Sequence, residues 1–192
     1  MNTNPNESNG SKNENNFNEL YAQLFAALSA RHRDENNRLI IGVKEDDLRD
    51  ALQVSKRELD NIIKQFQEQI ISFGLEVVRY SISRLHYYAI RTIYGVPSEL
   101  SDDEYATLGV IISLMEDTKL AKTFITKKKL EAKLVAGGYL TKYQLERILR
   151  SLDESGYIIN ERGKIKYGPR TKIEFDEDRR KAISEETRKW LI

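Results

Sequence analysis

The sequence of 192 residues predicts an α+β, mainly helical fold, because one arrangement of helices and strands occurs twice along it. The first observation is that two helix-forming segments, Ser55–Phe66 and Thr141–Leu152, align with each other without a gap. The second is that two further helical segments precede each of them and two β-rich segments follow. Three helices and a hairpin, occurring twice, predict two winged-helix domains in tandem, followed by a short C-terminal helix.

The two matching segments begin with a helix cap. Ser55 and Thr141 are residues that accept a backbone N–H at a helix start, and Glu58 and Gln144, three residues later, complete a capping box. Apolar residues then recur at i, i+3, i+4 and i+7, which is one face of an amphipathic helix. We therefore expect these segments to be the third helix of each domain.

The remaining elements divide the chain at about Pro97. The first domain is predicted over residues 17–95, and its hairpin is formed by the segments LEVVRYS and HYYAIRTIY. The second is predicted over residues 99–175, and its hairpin, or wing, turns at Arg162 and Gly163. The predicted helices are Phe17–Arg31, Lys44–Leu52, Ser55–Ser72, Ser101–Lys119, Thr126–Gly138 and Thr141–Ser155.

The two ends of the chain are expected to differ. Residues 1–16 are rich in Asn and contain no large apolar residue after Met1, so they bury too little surface to offset the entropy of ordering and should be disordered. In residues 176–192 we expect a helix from about Glu177 to Lys189, too short and polar to be stable alone. We expect it to dock through Trp190, either on the second domain or on a partner.

Composition excludes several classes of protein. The chain has no cysteine, which excludes disulfides, thiol nucleophiles and thiolate zinc sites and favours an intracellular protein. Its longest apolar run, Leu108–Met115, is far shorter than the about 20 residues of a membrane span. The net charge is +1, so any affinity for polyanions must come from local clustering.

The sequence contains few candidates for catalytic residues. His32 and His86, its two histidines, lie far apart and show no triad spacing, and there is no phosphate loop or dinucleotide fingerprint. The acidic runs Glu45–Asp47 and Asp102–Glu104 fall in the first turns of predicted helices, where carboxylates interact favourably with the helix dipole. We therefore expect a protein that is not an enzyme and has no metal or other cofactor.

The second domain carries a local excess of positive charge. Residues 118–172 contain 14 Lys or Arg and 5 Asp or Glu. Such a cluster neutralises phosphates and binds double-stranded DNA with little regard to its sequence, whereas the alternative is a hydrated surface without a partner. The candidate DNA-binding residues are Lys127, Lys128, Lys129, Lys133, Lys142, Arg147, Arg150, Arg162, Lys164, Lys166, Arg170 and Lys172.

The first domain has a different character, because its third helix mixes charge signs and its second β-rich segment is aromatic. Strands of this kind suit packing against another protein. We expect Tyr87, Tyr88, Ile93 and Tyr94, together with Trp190, to lie at a protein interface. The alternative is that the aromatic residues pack inside the chain.

Short motifs in the predicted strands resemble those of a known family. They are Gly74-Leu75-Glu76, Tyr87-Tyr88-Ala89 and, after the second wing, Gly168-Pro169-Arg170. Together with the tandem layout over residues 17–175, they resemble the kite subunits of SMC chromosome complexes, a group that includes segregation and condensation protein B, the non-SMC-element subunits and the MAGE proteins. The most similar member of the group carries a C-terminal zinc-binding RING domain for ubiquitin transfer. This chain ends in a charged helix without cysteine, so that activity is not carried over.

The resemblance implies an architectural role. A kite subunit binds the kleisin chain that bridges the SMC heads, often with a second kite subunit or a second copy of itself, and helps the complex to hold or load DNA. It implies a location on the nucleoid in the cytoplasm, or in the nucleus of a eukaryote.

A second hypothesis is a stand-alone winged-helix transcription factor or regulator. Tyr143, Gln144, Arg147 and Arg150 of the third helix are able to reach base edges. The first domain, however, has no matching basic set for a second half-site, and this asymmetry favours the complex subunit.

Overall fold

The computed structural model describes the backbone of residues 8–35, 37–93, 99–116 and 123–190, and within these ranges the side chains from residue 18 to residue 189. The fold is α+β, as the sequence predicts, and consists of two winged-helix domains that each have a three-stranded sheet of their own. None of the helices in these ranges combines the length and the apolarity of a membrane span.

In the part of the chain that the structure describes, the first domain contains three α-helices, a three-stranded sheet and a two-stranded hairpin. Its elements are α1 (Ser8–Ser29), β1 (Arg31–Arg33), β2 (Leu39–Ile41), β3 (Val43–Lys44), α2 (Glu45–Leu52), α3 (Lys56–Ile70), β4 (Leu75–Ile82) and β5 (Leu85–Thr92). The last three strands pair antiparallel in the order β3-β5-β4, whereas β1 and β2 form a separate hairpin. A 3₁₀ turn, Ile71–Phe73, connects α3 to β4.

The second domain repeats this arrangement. Its elements are α4 (Asp102–Glu116), β6 (Ile125–Thr126), α5 (Lys127–Leu134), α6 (Lys142–Glu154), β7 (Ile158–Glu161) and β8 (Lys164–Tyr167). The strand order of its sheet is β6-β8-β7, in which β6, β8 and β7 correspond to β3, β5 and β4 of the first domain. Two helices follow, α7 (Pro169–Glu174) and α8 (Glu177–Trp190).

The predicted helix caps are present. At Ser55 and at Thr141 the side chain accepts the backbone N–H of the residue three positions later, and the side chain of that residue accepts the backbone N–H of the cap at 2.8 Å. The hairpin turns also follow local rules, because Arg162 and Gly163 have φ of 52° and 76°. Positive φ at both central residues is what a two-residue hairpin requires.

The structure differs from the sequence-based expectation at several places. Helices α1 and α5 end at Ser29 and Leu134, before the predicted ends at Arg31 and Gly138, and the short strands β3 and β6 were not expected. Helix α1 begins at Ser8, so the second half of the Asn-rich segment expected to be disordered is helical, and residues 1–7 lie outside the described residues. Strands β1 and β2 were not expected, because strands of three residues are too short to show alternation. Helix α7 begins with Pro169, a residue that suits the first helical position, although no helix was predicted between the wing and the C-terminal helix.

Apolar residues from both domains meet between the two sheets. Each domain has a core of its own, but a third cluster takes residues from the β1–β2 hairpin, from β4 and β5, and from β7 and α7. Its buried members are Ile40, Ile41, Tyr80, Ile82, Ala89, Ile159 and Ile173. The outer face of the first domain's sheet is therefore packed against the β1–β2 hairpin and against Ile159 and Ile173 of the second domain. We call this cluster the interdomain joint.

Polar bonds surround the interdomain joint. Arg91 donates to the carbonyl of Ile173 at 2.6 Å, and the ammonium group of Lys172 donates to the carbonyl of Ser81. The hydroxyl of Tyr80 donates to the carbonyl of Ile41 at 2.5 Å, which ties the β1–β2 hairpin to the sheet. The bonds of Arg91 and Lys172 cross from one domain to the other and hold the two domains against each other, whereas the bond of Tyr80 lies within the first domain.

Helix α8 packs along α4 of the second domain. Its contact surface includes Ser184, which is buried, and Ile183, which packs against the second domain's core. A side chain at Gly109 would lie 3.1 Å from Oγ1 of Thr187, so the absence of one permits the close approach. The helix thus docks on the second domain, one of the two alternatives that we considered. The side chain of Trp190 lies outside the described residues, and its role as an anchor stays a prediction.

Candidate nucleic-acid interface

The basic segments of the second domain meet at one end of the domain. The backbone N–H of Lys127, at the start of α5, donates to the carbonyl of Gly163 in the wing turn at 2.9 Å. Lys164 lies opposite Thr126 in the β6–β8 ladder, and the ammonium group of Lys127 pairs with Glu146 of α6. The start of α5, the wing turn and α6 are therefore neighbours, and charges that are separated in the sequence form one surface.

Eight of the twelve candidate cations are exposed and make no ion pair with any residue that the structure describes. Exposed, unpaired cations keep their charge available for phosphate groups, and each phosphate that they neutralise releases counterions. We call these residues the basic surface. They are Lys128, Lys129, Lys133, Lys142, Arg147, Arg150, Arg162 and Lys164.

The other four candidates are engaged within the chain. Lys127 pairs with Glu146, and Lys166 pairs with Glu161 at 2.9 Å. Arg170, whose side chain is 14% exposed, binds Glu174 and lies 4.4 Å above the ring of Tyr157. Lys172 binds the first domain, and burial lowers its pKa. Their contacts are structural, and they contribute less free charge than the sequence indicated.

Helix α6 presents one side to the core and the opposite side to solvent. Leu145, Ile148, Leu149 and Leu152 are buried. Tyr143, Arg147 and Arg150, spaced i, i+4 and i+7, lie on the opposite face, and all three are exposed. This is the face that a winged helix uses to contact nucleic acid in its recognition helix.

A groove of about 590 Å³ separates the wing from the β1–β2 hairpin of the first domain. Arg33 and Arg38 of the hairpin line it, and neither was among the sequence-based candidates, because no hairpin was expected there. The signal that would have found it is the polar turn DENN between RHR and the short apolar, β-branched run LII. The wing and the end of α6 supply the other charged lining residues, Asp153, Glu154, Glu161, Arg162, Lys164 and Lys166.

Carboxylates partly neutralise this groove. Glu161 binds Lys166 and also Arg38, the latter at 2.6 Å, and the hydrogen bond from Lys166 lowers the pKa of Glu161. Burial raises the pKa of Asp153, which accepts the backbone N–H of Asn160 at 3.2 Å. The groove therefore continues the basic surface toward the first domain with a weaker net charge.

The residues expected at a protein interface fall in different places. Tyr88 is buried in the core of the first domain, where burial raises its pKa to about 12, so it offers no surface to a partner. Tyr87 is half-buried and its ring stacks on Tyr80 with centroids 5.3 Å apart. For these two tyrosines the alternative of packing inside the chain describes the structure. Tyr94 lies outside the described residues.

Ile93 is exposed and has apolar neighbours. Its backbone N–H donates to the carbonyl of Gly74 at 2.9 Å, which places it beside the 3₁₀ turn where Ile71 and Phe73 are also exposed. Phe73 was not among the predicted interface residues, since it lies just beyond the predicted third helix. This end of the first domain therefore presents three exposed apolar side chains, those of Ile71, Phe73 and Ile93.

The acidic runs lie in the first turns of α2 and α4, as predicted. Among the described side chains, no group of three or more carboxylates and histidines is arranged to hold a metal ion. The ring of His86 forms a hydrogen bond with the hydroxyl of Ser81 at 2.7 Å. Within the acidic run of α2, the carboxylate of Glu45 forms ion pairs with Arg79 and Lys56.

Comparisons with known proteins place the fold. No protein-family model matches the sequence, and no curated protein matches it significantly. Among solved structures, a chain of the Nse1-Nse3-Nse4 complex superposes with a TM-score of 0.55 at 12% sequence identity. The superposition covers 88% of this chain and 75% of that chain. At this identity the likeness shows a shared fold, and that fold spans nearly the whole of both domains.

Proposed function

We propose that this chain is a non-catalytic, kite-like subunit of an SMC-type complex for chromosome organisation or segregation. In this role it binds a kleisin or a second kite subunit and contacts double-stranded DNA without sequence preference. The observation that carries the proposal is the tandem winged-helix fold, which a chain of the Nse1-Nse3-Nse4 complex shares. The short strand motifs named above favour the same group, and the location would be that of the chromosome.

The DNA contact is supported by the asymmetry of charge between the two domains. The eight cations of the basic surface lie on α5, α6 and the wing of the second domain, and the corresponding α3 of the first domain mixes charge signs. A reader of one DNA sequence commonly uses two matched recognition surfaces on two half-sites. One basic domain beside a mixed one instead suits contact with the phosphate backbone.

The DNA contact is tested by fluorescence anisotropy with two duplexes of unrelated sequence. We expect equal affinities, and a loss of about a thousandfold between roughly 50 and 200 mM salt if about six phosphates are contacted. The variant Lys128→Glu, Lys129→Glu, Arg147→Glu and Lys164→Glu should bind about thirtyfold or more weakly, because it reverses half of the basic surface. Circular dichroism should show an unchanged fold, since none of the four makes an ion pair with a described residue.

The matched control reverses the same number of charges elsewhere. Arg57, Lys64, Arg84 and Lys189 are exposed and have no ion pair among the described residues. Their reversal changes the net charge equally, so it separates a local surface from a general electrostatic effect. A parent-like affinity of the first variant, or an equal loss in both variants, would contradict the proposed DNA contact.

The partner is tested by affinity purification from the native organism and mass spectrometry of the bound proteins. An SMC protein, a kleisin or a second kite subunit among them supports the proposal. A protein that purifies alone and binds one DNA sequence much more tightly than others is instead the stand-alone regulator.

A further inference from the structure

Two tyrosines stand exposed within the basic surface. Tyr143, in the first turn of α6, is 79% exposed, and Tyr139, in the turn before that helix, is 58% exposed. Neither ring belongs to the core of the second domain, and neither hydroxyl has a hydrogen-bond partner among the described residues. The core of the second domain therefore gives no reason for an aromatic ring at either position.

The turn before α6 holds the ring of Tyr139 against the backbone. A side chain at Gly137 would lie 2.9 Å from Cε2 of Tyr139, so the glycine leaves the space that the ring occupies. The backbone N–H of Tyr139 donates to the carbonyl of Leu134 at 3.0 Å, which fixes the turn at the end of α5. The ring is thus exposed on an ordered turn and not on a loose loop.

Basic residues flank both tyrosines along the chain, and two more share the exposed face of α6 with Tyr143. Lys142 lies between them in the sequence, and Arg147 and Arg150 continue the exposed face of α6 on which Tyr143 lies. Lys133 precedes the turn in the last part of α5. Aromatic rings interleaved with exposed cations combine a surface for π stacking with charges for the phosphate backbone.

Base stacking distinguishes between kinds of nucleic acid. In a duplex the faces of the bases are covered by their neighbours, so an aromatic side chain gains little from them, whereas a single strand offers them freely. Stacking of one base on one aromatic side chain strengthens binding by about fivefold or more and depends little on the identity of the base.

We propose that Tyr139 and Tyr143 form a stacking surface for the unpaired bases of single-stranded DNA, flanked by the cations of the basic surface. The second domain then binds single-stranded segments through bases and phosphates, and duplexes through phosphates alone. This inference rests on the proposed DNA contact, and it adds the class of DNA that the same surface recognises.

The test compares ligands that differ in bases but not in phosphates. Fluorescence anisotropy is measured with oligo-dT, with an abasic oligonucleotide of the same length, and with a duplex. We expect the parent to bind oligo-dT about fivefold or more tightly than the abasic strand. The double variant Tyr139→Ala, Tyr143→Ala should lose this difference and keep its affinity for the abasic strand and the duplex.

Two further variants make the result specific. Tyr139→Phe with Tyr143→Phe retains the rings, so the preference for oligo-dT should persist. Phe73→Ala removes a ring that is 78% exposed on the first domain and should change nothing. An oligo-U arm separates DNA from RNA: tighter binding of oligo-U than of oligo-dT would overturn the assignment to DNA.

The outcomes separate this inference from the function on which it rests. Equal affinity of the parent for oligo-dT and the abasic strand, with normal duplex binding, overturns the stacking surface and leaves the proposed DNA contact intact. An equal loss of duplex binding in the alanine variant also overturns it, because the rings then serve phosphate contact or the fold. If the parent binds none of the three ligands, both proposals fail. Loss of a protein partner in the alanine variant, with DNA binding unchanged, assigns the rings to that partner instead.

Discussion

Glu45 is a carboxylate buried in the first domain, and its neighbours explain why it stays charged. Its side chain is 9% exposed and accepts from Nε and Nη2 of Arg79, each at 2.7 Å, while the ammonium group of Lys56 lies 3.6 Å away. Burial opposes the charge, but the hydrogen bond from Arg79 and the two positive charges outweigh it and hold the pKa below 4.5. One carboxylate thus connects α2, α3 and β4.

Replacing this carboxylate should destabilise the protein. In Glu45→Gln, Arg79 loses its charged acceptor, so we expect the free energy of unfolding to fall by about 1–3 kcal/mol in urea denaturation at pH 7. Because the folded-state pKa is lowered, this stabilisation is present above the unfolded-state value of 4.5 and is lost as pH falls through the folded-state pKa. The variant should therefore approach the parent's stability in acid. Glu68→Gln, on the exposed side of α3, is the control, and an equal loss in both variants would contradict the role of Glu45.

At the scale of elements, α8 shows how a polar helix becomes part of a domain. It is rich in charge, but it covers α4, in which every residue from Thr107 to Met115 is buried. The contact is close because Gly109 has no side chain, and the hydroxyl of Ser113 donates to the carbonyl of Ser184 at 3.5 Å. Removing α8 would expose one side of an apolar helix to water.

Truncation after Asp178 should therefore lower the melting temperature. Exposure of α4 costs the free energy of several buried apolar side chains, and we expect a fall of about 5 °C or more in differential scanning calorimetry. The matched control is Ser184→Ala, which keeps the helix and removes a buried hydroxyl that has no partner among the described residues. That variant should melt at the parent's temperature or slightly above it. An unchanged melting temperature of the truncated chain would indicate a tether for a partner or a dispensable tail.

At the scale of the whole molecule, the interdomain joint makes the two winged helices depend on each other. It buries Ile173 of α7 against the first domain's sheet, and Arg91 binds both the carbonyl of Ile173 and the carboxylate of Glu76, each at 2.6 Å. Small domains with a shared buried surface unfold together when the surface contributes enough of their stability. We expect the parent to unfold in one cooperative transition.

Weakening the interdomain joint should separate the two domains. In Ile173→Ala with Arg91→Ala we expect calorimetry to resolve two transitions, because the variant loses about 2–5 kcal/mol of apolar burial and the bond that spans the joint. Ile148→Ala, which removes the same side chain from the second domain's own core, should lower the melting temperature and still couple the domains. A single transition with equal calorimetric and van't Hoff enthalpies in the double variant would show that the domains are coupled by something else.

The sequence by itself determined the elements whose causes are local. The capping boxes at Ser55 and Thr141, the helical periodicity behind them and the turn at Arg162 and Gly163 each depend on residues a few positions apart. For the same reason it located the charge of the second domain and the exposed face of α6. The α+β class and the repeated order of helices and strands follow from these local signals.

Tertiary structure alone decided which of these residues are available. Lys172 donates to the carbonyl of Ser81, 91 positions away, and this contact distinguishes it from the exposed cations of the second domain. Arg33 lines the groove because it donates to the carbonyl of Glu154, 121 positions away. The sequence left open whether Tyr88 is exposed or lies in the core, and the pairing of the sheet buries it. Burial and pairing across such distances depend on where two domains meet, and no local pattern records that. Only the tertiary structure shows that four of the twelve candidate cations make contacts within the chain and that the other eight form the basic surface.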